Sequence, residues 1–139
     1  MPPMDATSRL DRLAVKTGVS LGLLPAADRD AVLAWAAIHV PAASGLDERG
    51  VNAVLQAFLG GAGSMLRTDH VELRRWLVDT GWLERDGFGR AYRLAAAAPE
   101  RASALLGDIS AERLDARIAA ARAAEATERR LRRERHCAA

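Results

Sequence analysis

At 139 residues, half of them hydrophobic, the chain is long enough for one packed domain with an appendage, and its net charge is only +2. The single cysteine, Cys137, excludes an intramolecular disulfide framework and a thiolate zinc cluster and fits a reducing compartment. No apolar run approaches the roughly 20 residues needed to cross a bilayer, and the first residues lack a secretory pattern, so we expect a cytoplasmic protein with no membrane partner.

Residues 1–24 are predicted to form an N-terminal extension that is disordered in part. Residues 1–8 contain two prolines and show no periodicity, which is typical of disorder. Ser8 is a good N-cap and predicts a short helix from Arg9 to Lys16. The apolar run from Val19 to Leu24 is ambiguous between helix and strand, and we expect it to lie against the domain.

Residues 25–98 are predicted to form the main domain, which begins with a helix. Pro25 suits a first helical turn, and apolar residues follow it at near-helical spacing until Pro41 ends the segment. Trp35 falls among these apolar positions and is predicted to lie in the core. His39 lies near the helix end, where we expect a polar cap rather than a metal ligand.

A second helix and a short strand are predicted next. Residues 42–46 fit a first short strand, and Asp47 has the character of an N-cap for a helix from Glu48 to Leu59. The glycine-rich stretch 60–63 then ends that helix.

The stretch from Thr68 to Leu94 predicts a third helix followed by a β-hairpin. Thr68 is expected to cap the helix, and Gly81 to end it. Strands 82–85 and 90–94 flank a glycine-containing turn, as in a short hairpin. The order of elements predicts a mainly α fold with a small β-hairpin (α+β), a winged helix-turn-helix with an extra N-terminal segment and a long C-terminal helix.

Residues 99–139 are predicted to form a C-terminal helical extension. A short helix over 99–106 precedes a long one, capped by Ser110, that runs to about Arg135 and ends in an Arg-rich tail. The apolar stripe of the long helix is too thin to hold it in place alone, so it needs its own domain or the same helix of a second chain. For the second case, a homodimer, the candidate dimerisation residues are Leu114, Ile118, Ala121 and Leu131.

Several residues in the second and third predicted helices and in the hairpin form a pattern shared with a known family. Val51-Asn52, the run Leu73-Arg74-Arg75 with Leu77-Val78-Asp79, and Gly81, Leu83-Glu84-Arg85, Arg90 and Tyr92 make up this pattern. Over Leu46 to Leu94 the chain resembles the prokaryotic family labelled domain of unknown function 2087. The resemblance implies a winged helix, alone or fused to ArsR-like helix-turn-helix regulators, and a link to transcription regulation. Trp76 and Thr80 depart from the family pattern.

The leading functional hypothesis is a DNA-binding transcriptional regulator with double-stranded DNA as partner. The third helix would enter the major groove, and the hairpin would contact the backbone or the minor groove. The candidate DNA-binding residues are Arg67, Thr68, His70, Arg74, Arg75, Arg85 and Arg90. However, residues 45–98 hold seven arginines and seven acids, so this region lacks the basic footprint usual for such domains.

Two alternatives remain open. Arg74 and Arg75 could pair with Glu72, Asp79 or Asp86 on a solvated face, and the protein could then be an interaction or dimerisation module without direct DNA binding. An enzyme is not expected, because the three histidines lie in separate segments without metal-ligand spacing and no nucleophile–base arrangement can be inferred. No cofactor, metal or effector pocket is predicted.

Overall fold

The structure, a computed structural model, describes residues 4–42, 45–88 and 90–138. Predictions for residues 1–3, for Ala43 and Ser44 in the expected first strand, for Gly89 in the turn and for Ala139 therefore lie outside the described residues. The described elements are α1 (Ala6–Ala14), α2 (Ala26–Ala37), α3 (Glu48–Gly60), α4 (His70–Asp79), β1 (Leu83–Arg85), β2 (Tyr92–Leu94), α5 (Ala98–Leu106) and α6 (Ala111–Ala138). The predicted α+β class, mainly helical with one antiparallel hairpin, is confirmed.

Helix α1 belongs to the core of the domain. Its N-cap is Asp5, whose carboxylate accepts a hydrogen bond from the backbone amide of Ser8 at 2.8 Å, so the predicted cap at Ser8 and start at Arg9 are wrong. An ionised carboxylate satisfies a free amide and also complements the helix dipole, which favours the earlier start. Leu10 and Leu13 are buried, so the predicted extension packs into the domain.

The segment after α1 is neither a regular helix nor a regular strand. Val19 forms a single parallel bridge with Leu66, because the Val19 amide donates to Met65 O at 2.9 Å and the Arg67 amide donates to Val19 O at 2.7 Å. A 3-10 turn at Leu21–Leu23 follows. This bridge ties the N-terminal segment to the entrance of α4.

Helix α2 is the centre of the core. Residues 31–37 are all fully buried, as expected for a helix that is apolar on every side. Trp35 is among them, as predicted. Its ring packs against the ring of Phe58 in an edge-to-face arrangement, with the ring centroids 4.8 Å apart. Gly63 completes this contact, because a Cβ atom there would lie 2.5 Å from the Phe58 ring.

Helices α3 and α4 are fixed at their starts by aspartates. Asp47 caps α3 as predicted and accepts from the Gly50 amide at 2.7 Å. The cap of α4 is Asp69 rather than the predicted Thr68, because the Asp69 carboxylate reaches the Glu72 amide at 2.8 Å. Gly81, at φ +81°, follows the helix end as predicted and allows the chain to turn into β1.

The hairpin is shorter than predicted. Leu83 pairs with Leu94 and Arg85 with Tyr92, so Trp82 at one end and Arg90 at the other lie outside the strands. The expected first strand is reduced, in the described part, to one bridge between Leu46 and Tyr92, with N···O distances of 2.7 and 2.6 Å. The order of α2, this bridge, α3, α4 and the hairpin is compatible with a winged helix.

Helices α5 and α6 pack on the body of the domain, and the C-terminal part of α6 extends beyond it. Ser110 caps α6 as predicted, since its hydroxyl accepts from the Arg113 amide at 3.2 Å. Arg117 pairs with Asp11 of α1 at 2.6 Å, and this hydrogen bond raises the Arg117 pKa. The Arg122 guanidinium donates to Ala14 O and Ala62 O, both at 3.1 Å. Beyond Arg122 the helix is exposed except for a partly buried Glu125, so residues 123–138 extend from the body.

His39 joins α2 to α6 and does more than cap a helix. Its Nδ1 lies 2.8 Å from Trp35 O, and its Nε2 lies 2.9 Å from Asp115 Oδ2 on α6. Trp35 Nε1 donates to the same carboxylate at 2.9 Å. Through these contacts His39 and Trp35 together hold α6 against α2.

Candidate nucleic-acid interface

The outer face of α4 is exposed and carries both acidic and basic side chains. Leu73 and Leu77 anchor the opposite face in the core. Glu72, Arg75 and Asp79 are exposed along the outer face. Charge alone therefore does not distinguish this face as basic.

Arg74 is a structural contact rather than a free cation. Its Nη1 donates to Asn52 Oδ1 and lies 3.4 Å from Glu48 Oε1, both on α3. Its guanidinium also lies 5.4 Å from the centre of the Tyr92 ring. With 16 % of its side chain exposed, Arg74 joins α3, α4 and β2. The alternative in which Arg74 pairs with Glu72, Asp79 or Asp86 is not what the described residues show, because its carboxylate partner is Glu48 on α3.

Arg75 and Arg85 are the exposed arginines that line the cleft between α4 and the hairpin. Neither has a carboxylate within 4.0 Å in the described ranges 4–42, 45–88 and 90–138. The cleft has a volume of about 230 Å³ and is lined by Val71, Arg74, Arg75, Val78, Asp79, Arg85 and Tyr92. Cross-strand pairing places Arg85 opposite Tyr92, so the fold brings together three arginines from two elements.

The hairpin tip presents an arginine beside an exposed aromatic ring. Arg90 is exposed, with its guanidinium 5.5 Å from the centre of the Phe88 ring, and Phe88 is 82 % exposed. Asp86 shapes the turn by accepting from the amides of Phe88 at 3.1 Å and Arg90 at 2.8 Å. Phe88 was not among the predicted site residues, although an aromatic residue between two turn glycines was a visible signal.

The remaining candidates lie at the start of α4. Arg67 is exposed, while its backbone amide is used in the bridge to Val19. Thr68 and His70 are partly buried, and His70 Nδ1 lies 3.4 Å from Gln56 on α3. Arg67 and Thr68 precede the Asp69 cap, and His70 is the first residue of α4.

The candidate dimerisation residues fall into two groups. Leu114 and Ile118 are fully buried inside this chain, so they attach α6 to its own domain. Ala121 is partly buried, and Leu131 is 43 % exposed on the extended part of the helix. Leu131 is therefore the candidate of this set most available to a second chain.

The Arg-rich tail is partly neutralised by its own glutamates. Arg129 and Arg132 lie 3.2 and 3.4 Å from Glu125, and Arg130 lies 4.0 Å from Glu134. Such exposed pairs contribute about 0–1 kcal/mol each and give way readily to a stronger anion.

The part of the chain that the structure describes holds neither a cluster of metal-binding side chains nor a helix able to cross a membrane. Within that part, no group of three or more His, Cys, Asp or Glu side chains is placed to hold a metal ion. Nor does any helix there have the length and apolar character needed to span a membrane.

Fold and surface together define a mainly helical α+β domain with an exposed helix beside a two-stranded hairpin. The chain belongs to the family described as uncharacterized protein conserved in bacteria (DUF2087), whose sequence profile matches residues 25–94. The match runs from the start of α2 to the end of β2 and so contains every candidate DNA-binding residue. No curated protein and no solved structure matches the chain.

Proposed function

We propose that the protein is a cytoplasmic, DNA-binding transcriptional regulator of the winged-helix type. The observation that best supports this is the set of exposed arginines on adjoining elements. Arg75 on α4 and Arg85 on β1 lack a carboxylate partner in the described residues, and Arg90 stands at the hairpin tip. The resemblance implies that members of the family occur alone or fused to ArsR-like regulators, which supports the proposal by association only.

In this proposal α4 lies in the major groove. A helix of 10 residues is about 15 Å long, and His70 in its first turn, with Arg67 and Thr68 just before its cap, would face base edges. Arg75, one turn further on, contacts a guanine edge or a phosphate, while Arg85 and Arg90 contact the backbone. Arg74 takes no direct part, because Asn52 and Tyr92 already engage it. The role requires no catalytic step and no cofactor.

Homodimerisation is a second element of the proposal. Winged helices that bind as dimers place two recognition helices on half-sites about one helical turn apart. The exposed segment 123–138 with Leu131 is long enough to meet its copy in a partner chain. Light scattering should give twice the monomer mass for the wild type and the monomer mass after removal of residues 127–139. A monomeric wild type at high concentration contradicts the dimer.

A protein-interaction module is the second candidate function. It is favoured by apolar contact area on the outer face of α4, where Val71 is 40 % exposed and the partly buried Trp76 lies beneath Arg29, 5.0 Å from its guanidinium. In that case substitution of Val71 would weaken partner binding, whereas substitution of Arg75 would change little.

The deciding experiment is a fluorescence titration of random duplex DNA at 50 and 200 mM salt. Wild type, Arg75→Ala and the control Arg93→Ala are compared, because Arg93 is an exposed arginine already paired with Glu84 at 3.4 Å. The regulator proposal requires salt-dependent binding that Arg75→Ala weakens and Arg93→Ala leaves unchanged. Absence of binding at 50 mM salt rejects direct DNA binding and favours the interaction module.

A further inference from the structure

The cleft between α4 and the hairpin has the chemistry of a site for a single phosphate group. Two guanidinium groups, those of Arg75 and Arg85, line it without a described carboxylate partner. The walls between them are formed by Val71, Val78 and Tyr92. Two arginines that line one cleft can both donate to a single phosphate, and a hydrogen bond between two charged groups is stronger than one between neutral groups.

One wall of the cleft is fixed in advance. Arg74 is held by Asn52 and Glu48 on α3 and stacks over Tyr92, which pairs with Arg85 across the hairpin. The hairpin therefore cannot move away from α4 without breaking this set of contacts. A preorganised wall reduces the entropy lost on binding.

The charge of the cleft points to a monoanion. The charge of Arg74 is largely compensated by Glu48, so the effective balance is Arg75 and Arg85 against Asp79. This leaves one positive charge, which matches the single negative charge of a phosphodiester better than the nearly double charge of a phosphate monoester.

We propose that this cleft holds one backbone phosphodiester of duplex DNA, with Arg85 and Arg75 as hydrogen-bond donors. The inference rests on the proposed function, which supplies the DNA. The phosphate fixes the angle between α4 and the duplex and carries no sequence information. Asp79 keeps the cleft from retaining more highly charged anions.

The test compares salt slopes of duplex binding for wild type, Arg85→Gln, Asp79→Asn and Arg93→Gln. Arg85→Gln should reduce the slope of log K against log salt by about 0.9, which corresponds to about eightfold weaker binding at 0.1 M salt, equally for different sequences. Asp79→Asn should bind about threefold more tightly. Arg93→Gln, on the other face of β2, should behave as wild type.

A second measurement separates this inference from the proposed function. Dimethyl phosphate and inorganic phosphate are titrated into the wild type while the arginine side-chain NMR signals are followed. Duplex binding with an unchanged slope for Arg85→Gln overturns the cleft and leaves the regulator intact. No duplex binding, with signals shifted by a free phosphate compound, overturns DNA as the source and assigns the cleft to a small ligand. If the protein binds no duplex DNA and neither phosphate compound shifts the arginine signals, both proposals are overturned.

Discussion

Two adjacent arginines on α4 are expected to have opposite roles. Most of the Arg74 side chain is buried, whereas the Arg75 side chain is exposed and has no carboxylate partner among the described residues. Substituting each with alanine therefore separates stability from DNA binding. Arg74→Ala should destabilise the fold, and Arg75→Ala should weaken DNA binding in a protein of nearly unchanged stability.

The size of the Arg74 effect follows from its three partners. The hydrogen bond to Asn52 involves a charged donor and has a typical value of about 1.5–3 kcal/mol. The Glu48 side chain is 60 % exposed, so that ion pair adds about 0–1 kcal/mol. The contact with the Tyr92 ring adds about 0.5–1 kcal/mol. Because such terms are not additive, we expect a total loss of about 2 kcal/mol, or about 7 °C in Tm.

Urea denaturation followed by circular dichroism measures this difference. Arg75→Ala is the matched control, because it removes an arginine from the next position of the same helix and should change the unfolding free energy by less than about 0.5 kcal/mol. In a double-mutant cycle with Asn52→Ala, the coupling to Arg74 should reach about 1 kcal/mol. Equal stability losses for Arg74→Ala and Arg75→Ala, or a coupling near zero, would refute the structural role.

Three further predictions concern other contacts. Removing the imidazole in His39→Ala should cost about 1–2 kcal/mol in chemical denaturation, because it breaks the link from α2 to α6; unchanged stability contradicts that link. Asp69→Ala should cost about 1 kcal/mol by thermal melting and Thr68→Ala less than half of that, and the reverse order would restore Thr68 as the cap. Hydrogen bonds from the Ser8 backbone amide, then from its side chain, lower the Asp5 pKa below its ordinary value of 3.8. A lowered folded-state pKa stabilises above the unfolded value and loses that contribution as pH falls through the folded value, so the stability advantage over Asp5→Ala should shrink below about pH 4.

The order of elements could be predicted because it is encoded by local signals. Asp47 and Ser110 each stand before a helical pattern and reach the amide three residues on, which is how an N-cap acts. Where two capping residues are adjacent, as at Thr68 and Asp69, the sequence does not say which side chain reaches the amide. For this reason the start of α4 was predicted one residue too early.

Long-range contacts could not be predicted from one sequence. Arg74 and Arg75 are neighbours on one helix, and the contact of Arg74 with Asn52 on α3, 22 residues earlier in the chain, distinguishes them. His39 and Asp115 are 76 residues apart and lie on helices whose relative placement no local pattern specifies. The cleft between α4 and the hairpin likewise exists only in the folded chain.

Residues 45–98 have no net charge, but more of their acids than of their arginines are already paired within the fold. Two arginines, Arg74 and Arg93, pair with Glu48 and Glu84. Three further acids have carboxylates that accept backbone amides at helix starts or in the hairpin turn, where the amide dipoles compensate part of their charge: Asp47, Asp69 and Asp86. Of the seven arginines and seven acids, this leaves five arginines and two acids without such partners in the described residues: Arg49, Arg67, Arg75, Arg85 and Arg90 against Glu72 and Asp79. The acids are thus used mainly to build the fold, so a zero charge count is compatible with a surface whose available charges are basic.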